Sequence, residues 1–313
     1  MVNHFRKDMP LPIVGFGHSL GGTLLLNLAL MHPRLLTGMV LIEPSLYRSS
    51  ERSNFSVVLP MTLRRDLWPS RNAALEATMK NPLYKRWDPE AAALFRRWGL
   101  QELPTTVYPS PTPDQKDSVT LTTTKYQEAF TYALPAYPQD RNKDFRDFDP
   151  PLSTHPDQKG VRNPTAPVYR PEPIRTHAML PHLRPSCLYM YGSETHLTAL
   201  FSPENRREKL ELTGRATGGS GGAKEGRVRE VVIPGGSHHV PFDLPIKVGR
   251  LAAAYFDEEI QRFRREESQL ISEMETVPHG KRSVASEDWN FWLHKAYGRG
   301  PRHKRDNKPK PNL

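Results

Sequence analysis

Apolar positions along the chain fall into four short runs set in long polar stretches. Ile13 to Phe16 is short and apolar, and Gly38 to Ile42 reads G-M-V-L-I. Ser186 to Tyr191 reads S-C-L-Y-M-Y, and Arg227 to Ile233 alternates apolar with polar. Runs of this length bounded by turn residues predict strands, buried on both faces where they are continuous. Between the first two, Thr23 to Met31 is apolar enough for a buried helix, and His32-Pro33 ends it. Strand, helix and strand within about 30 residues predict a βαβ unit with a parallel pair. Further on, Arg71 to Met79 and Pro89 to Trp98 carry amphipathic spacing, and Ser202 to Glu211 predicts a charged helix. Ile246 to Met274 predicts one long helix, apolar early and charged late. The stretch V-T-L-T-T-T-K-Y-Q-E-A-F-T-Y at 119–132 reads equally as strand or helix.

The irregular remainder has its own signature. Residues 137–173 are dense in Pro, Asp, Arg and Asn and predict a loop or disorder. Residues 213–226, with G-G-S-G-G at their heart, predict a flexible loop; no lysine-serine pair or helix start follows in register for a phosphate cradle. The domain organisation expected is therefore a core beginning at 1–45, an insertion at 46–182, the second part of the core at 183–275 and a basic tail at 276–313.

Composition changes this picture in three ways. Of 313 residues, 31 are proline and only 37% are hydrophobic, as in a folded body carrying long irregular segments. The net charge is +10. Residues 280–313 hold nine Lys/Arg against three Asp/Glu, so +6 of that charge sits at the end of the chain. Basic character concentrated there does not mark the body as a nucleic-acid binder, and no nucleic-acid partner is expected. Cys187 is the single cysteine, so no intrachain disulfide forms, in keeping with an intracellular chain. No apolar run is long enough to span a bilayer, and no secretory signal is visible.

The candidate chemistry centres on Gly17-His18-Ser19-Leu20-Gly21, between the first strand and its helix. A G-x-S-x-G turn in that context is a nucleophile elbow, in which a serine sits on a strained strand-to-helix turn. The glycines expected to relieve crowding there are Gly17 and Gly21, and Leu20 supplies a backbone N–H to an oxyanion near the helix start. The plain alternative is a glycine-rich turn with a capping serine. A serine nucleophile needs a base, and the base an acid to orient it. His238, in G-G-S-H-H-V-P-F-D-L-P after the last strand, is the candidate base; its H-x-x-P-x-x-x-P spacing to Pro241 and Pro245 resembles the catalytic histidine loops of α/β-hydrolases, and that resemblance ranks it above His239. Two glutamates compete as the acid. Glu43 closes the fully apolar second strand in L-I-E-P, and Glu194 follows the third strand in Y-G-S-E-T-H; Glu43 ranks slightly ahead. His18 and His196 lie near the site in sequence terms. The spacings indicate neither a metal site nor a cofactor.

With these residues in hand, the sequence resembles an α/β-hydrolase, more narrowly the fungal peroxisomal-lipase and toxin-biosynthesis type. The resemblance covers about Pro12 to Phe263. It rests on G-H-S-L-G-G, L-I-E-P, R-R-D-L-W-P-S-R, Y-K-R-W-D-P, R-R-W-G-L-Q-E-L-P, T-L-T-T-T-K-Y-Q-E, T-G-R-A-T-G-G-S-G-G and S-H-H-V-P-F-D. It implies a partial hydrolase core, α/β with a mainly parallel sheet and a large helical lid insertion. It also implies hydrolysis of a small-molecule acyl ester or thioester, with Ser19 as nucleophile and His238 as base. In that family the acid commonly sits where Thr195 stands, one residue beyond Glu194, and in some relatives where Glu43 stands. A complete member carries about four more strands before the elbow and a loop giving a second oxyanion N–H, so the expectation is a truncated chain, with an inactive fragment or scaffold as the alternative function. The resemblance implies a peroxisomal or cytoplasmic protein; the chain ends K-P-N-L, without the S-K-L address.

Overall fold

Continuous apolar runs become strands only where both faces find cover, and the chain supplies a helical layer for each face. In the computed structural model, residues 2–48, 57–110, 112–149, 152–153, 156 and 167–298 are described. The strands β1 (Val14–His18), β2 (Gly38–Ile42), β3 (Ser186–Gly192) and β4 (Val228–Ile233) form one sheet in the order β1-β2-β3-β4, every neighbour parallel. Helix α1 (Leu20–Met31) links the first two strands. Helices α2 (Glu172–Met179), α3 (Pro203–Leu212), α4 (Pro245–Thr276) and α5 (Glu287–Tyr297) follow in order.

Period-two alternation sends successive side chains to opposite faces. Met39, Leu41, Cys187, Tyr189 and Tyr191 enter one buried cluster with Leu26 and Ala29 of α1. Val40, Ile42, Leu188 and Met190 enter a second with Val248, Ala252 and Tyr255 of α4. β1 is an edge strand among the described residues, and Phe16 on it is half exposed.

The insertion is less purely helical than expected. Helices at Arg71–Met79, Pro89–Trp98 and Lys125–Tyr132 are present. Between them, Leu67–Trp68, Leu100–Glu102 and Val119–Leu121 make a three-stranded antiparallel sheet. Trp68, Ala74, Leu100, Val119 and Leu121 form a small core of its own. The ambiguous 119–132 stretch is thus both, a strand and then a helix. Thr124 divides them: its hydroxyl accepts the Gln127 N–H and Gln127 answers through the Thr124 N–H, a capping box. Of the stretch read as irregular, Phe145–Asp147 forms a 3-10 turn and Val168–Tyr169 a short strand; residues 150–151, 154–155 and 157–166 lie outside the described residues.

One further expectation needs correction. The glycine-rich loop is not a free linker: Gly214, Ala216 and Ser220 donate their N–H groups to Leu180, Pro181 and Leu183 at 2.8, 2.8 and 2.9 Å, so it is pinned to the segment before β3. In the tail, α5 is a capped helix, with the Ser286 hydroxyl accepting the Trp289 N–H at 3.0 Å. Residues 299–313 lie outside the described residues. The chain divides into two compact units, Met1–Ile260 and Gln261–Leu313. No helix among the described residues is long and apolar enough to cross a membrane.

Crowding at the elbow falls on a different glycine pair from the one expected. A Cβ on Gly17 would meet the Gly22 Cα at 2.8 Å, and a Cβ on Gly22 would meet the Pro44 Cβ at 3.1 Å. A Cβ on Gly21 meets nothing within 4 Å. Backbone atoms yield less readily than side chains, so Gly17→Ala should destabilise by about 1–3 kcal/mol, the range for overpacking. Gly21→Ala, an exposed first-turn helix position, should leave stability unchanged or raise it by about 0.5 kcal/mol. Urea midpoints of the two variants check the contrast.

Candidate active site

Three parallel strands end in register, and the candidate residues stand at that end. His18 pairs with Ile42 and Ile42 with Met190. One step further, the Ser19 N–H donates to the Ile42 carbonyl at 2.8 Å and the Glu43 N–H to the Met190 carbonyl at 3.0 Å. Ser19 and Glu43 therefore sit side by side. Both hold positive φ, 53° and 42°, a conformation costly for residues with a Cβ and maintained only where the surroundings impose it. Leu20 is the first residue of α1, so its N–H is among the four that have no acceptor within the helix.

His238 arrives from the loop between β4 and α4. Its Nε2 lies 3.1 Å from Ser19 Oγ and its Nδ1 lies 2.7 Å from Glu43 Oε2. All three side chains are buried, Glu43 completely. A buried carboxylate needs donors, and Glu43 has three. The Gly192 N–H reaches Oε1 at 2.8 Å, while the Thr195 hydroxyl and the imidazole share Oε2 at 2.8 and 2.7 Å. Gly192 permits this by having no side chain: a Cβ there would meet the Gly236 carbonyl oxygen at 2.3 Å and that of Ser237 at 2.5 Å. The histidine loop thus lies directly on the end of β3. The Glu194 N–H donates to the Gly236 carbonyl at 2.8 Å and fastens the two together.

Of the two glutamates left open by the sequence, the structure brings Glu43 to His238 and takes the Glu194 side chain elsewhere. Glu194 is half exposed and ion-paired with Arg86 at 2.9 Å. Arg86 also donates to the Gly235 carbonyl at 2.7 Å, next to it Trp87 stacks on Phe242 at 4.6 Å, and the Asp88 N–H donates to the Phe242 carbonyl at 2.8 Å. Residues 86–88 of the insertion therefore clasp the histidine loop. Within that loop, buried Asp243 accepts the Ser237 N–H at 3.0 Å and the Ser237 hydroxyl at 2.5 Å.

Four residues that the sequence reading gave no role belong to the site. Thr195 and Gly192 hold the carboxylate, and Arg86 holds the loop. Ser45 Oγ lies 3.4 Å from Ser19 Oγ, and the Ser45 N–H donates to the Ser19 carbonyl at 3.2 Å. Thr195 alone left a trace in the sequence, by occupying the position where relatives carry the acid.

Three more histidines ring the fourth. His18, His239 and His196 have centroids 5.0, 5.6 and 5.7 Å from that of His238. The His18 Nε2 lies 2.8 Å from the His238 carbonyl oxygen, as a neutral ring donating to it requires. Burial, reinforced by neighbouring His238, lowers both His18 and His239 to about 4; burial also lowers His196. These rings are neutral at physiological pH, so they add no positive charge beside His238. The other side of His238 rests on Phe201, whose ring carries the buried Lys209 ammonium 4.8 Å from its centroid. Among the described residues, no group of three or more His, Cys, Asp or Glu side chains is arranged to hold a metal ion.

The parallel sheet, the strained serine turn and the helical insertion after the second strand define an α/β-hydrolase. E-2-(acetamidomethylene)succinate hydrolase has this fold: its crystal structure superposes with a TM-score of 0.51 at 14% identity, over 82% of this chain and 70% of that one. A type I acyl-CoA thioesterase of Penicillium brevicompactum is 35% identical over 304 residues, 92% of this chain and 68% of the relative. An abhydrolase domain-containing protein of Alternaria alternata is 25% identical over 252 residues, 80% of this chain and 85% of the relative. The chain belongs to the α/β-hydrolase family of enzymes that includes these fungal acyl-CoA thioesterases. It spans about two thirds of the length of its Penicillium relatives. No protein-family model matches it.

The lowered histidines set a pH dependence of stability. His18 and His239 hold a proton at about 4 when folded, against about 6.5 when unfolded. Between those values the unfolded chain binds more protons, so stability is complete above about pH 6.5 and is lost as pH falls toward 4. Urea midpoints should drop between pH 7 and pH 4.5, and the drop should be shallower in His239→Gln.

Proposed function

We propose that the chain is a serine hydrolase of acyl thioesters and esters, with Ser19, His238 and Glu43 as its triad. The observation that carries this reading is the single line of contacts from Ser19 Oγ to His238 Nε2 and from His238 Nδ1 to Glu43 Oε2. A hydroxyl is a weak nucleophile at neutral pH and needs a base in hydrogen-bond reach. His238 Nε2 takes the Ser19 proton as Oγ attacks the acyl carbonyl. Glu43 accepts the Nδ1 proton throughout, which fixes the tautomer and stabilises the imidazolium as it forms. The carbonyl oxygen, now negative, is met by the Leu20 N–H at the positive end of α1. Collapse expels the thiol or alcohol, protonated by His238. Water then attacks the acyl-Ser19 ester with His238 again as base, and the acid leaves.

The thioester preference is supported by the acyl-CoA thioesterases among the relatives, and the reaction class by the site's own chemistry.

A fluorophosphonate probe with the purified chain tests the assignment. Labelling should fall on Ser19 and vanish in Ser19→Ala. With acyl-CoA and p-nitrophenyl ester substrates, His238→Ala and Glu43→Gln should lower kcat by about 10³–10⁴, and Glu194→Gln by less than twofold. Labelling that persists in Ser19→Ala would refute the nucleophile. A Glu194→Gln loss equal to that of Glu43→Gln would refute the choice of acid. A folded chain with neither labelling nor turnover would point to an inactive scaffold instead.

A further inference from the structure

Glu43 carries one more rotatable bond than an aspartate, so a strand-end glutamate must be held before it can orient an imidazole. Its carboxylate is gripped from two sides. The Gly192 N–H fixes Oε1, and Oε2 receives both the His238 Nδ1 proton and the Thr195 hydroxyl. The direction of that hydroxyl is set by its own neighbour. Thr195 Oγ1 accepts the Leu197 N–H at 3.4 Å, which occupies a lone pair and turns the hydroxyl hydrogen toward the carboxylate. Thr195 touches neither Ser19 nor the ring of His238 in any hydrogen bond of the structure, so it acts only through Glu43.

We propose that Thr195 is a positioning residue: its hydroxyl holds the Glu43 carboxylate in the one orientation that keeps Oε2 on His238 Nδ1. This rests on the triad reading above and adds a residue to it. The physical reason is the competition for Oε2. With Thr195 in place, the carboxylate plane is fixed by donors to both oxygens, and the His238 contact falls on the oxygen that Thr195 has oriented. Without that hydroxyl, Oε2 is held only by the imidazole it has to orient, and the carboxylate turns about its last bond, away from the imidazole for part of the time. Here the carboxylate comes from the neighbouring strand, and the third strand and the turn after it hold it through the Gly192 N–H and the Thr195 hydroxyl.

Thr195→Val keeps the shape and removes the hydroxyl; Thr195→Ser keeps the hydroxyl. In Thr195→Val, kcat should fall about ten- to hundredfold, the loss expected of a hydrogen bond to a charged group, with KM within twofold. Thr195→Ser should keep at least half of the parent kcat. The downfield proton resonance of His238 Nδ1, read by NMR on the free protein, should be lost or broadened in Thr195→Val and sharp in Thr195→Ser. Thr195→Ala, which introduces no new contact, repeats the measurement should the valine variant fold poorly. Parent-like kcat and an unchanged Nδ1 resonance in both Thr195→Val and Thr195→Ala would overturn the proposal. The two levels separate cleanly. Inactive Glu43→Gln with fully active Thr195→Val removes Thr195 and keeps the triad; fully active Glu43→Gln removes the triad itself.

Discussion

The in-register end of three parallel strands is the constraint on which the site depends. Parallel pairing carries His18, Ile42 and Met190 to one line across the sheet. The residues that come next, Ser19 and Glu43, leave that line on positive φ and remain tied to it through their own N–H groups. A slip of one residue in either pairing would send both side chains to opposite faces. It would also bury apolar side chains of β2 in the wrong cluster, so the burial that stabilises the sheet also enforces the geometry of the site. The separation between serine and carboxylate is therefore a property of the core and does not rely on a flexible loop.

The third member comes by another route. His238 lies on a loop, and a loop by itself holds a side chain poorly. Three contacts remove that freedom. Gly192 lets the loop lie against β3, the Glu194 N–H ties it there, and Arg86 with Trp87 clasps it from the insertion. The insertion, with its own small sheet and core, acts here as a brace on the loop that carries His238. The cost of burying Glu43 without water is offset by three donors, two of them from the β3 end. Both oxygens of the Glu43 carboxylate have donors that also fix its direction.

Electrostatics follow from the same burial. His18 and His239 lie close enough to His238 that a proton on either would oppose one on it, and burial keeps both unprotonated. The cluster thus holds four imidazoles around a fully buried carboxylate, with His18 and His239 kept neutral by their burial.

Much of this was legible in the residue order. Four apolar runs named the four strands of the parallel sheet, and the G-x-S-x-G turn marked the strand-to-helix junction that holds Ser19. These are local signals, carried by period, turn chemistry and breakers, and no long-range contact is needed to read them. The choice between Glu43 and Glu194 was different in kind. Both follow apolar strands, and only the order β1-β2-β3-β4 puts one beside Ser19, while Arg86, over a hundred residues away in sequence from Glu194, draws the other aside. The crowding of Gly17 against Gly22, where Gly21 was expected, depends on the angle at which helix leaves strand. The fixing of the glycine-rich loop depends on carbonyls some thirty residues earlier. Thr195 carries no signal that distinguishes a solvated hydroxyl from one aimed at a carboxylate. Pairings across the sheet decided these points, because each is a contact between segments that the linear order leaves far apart.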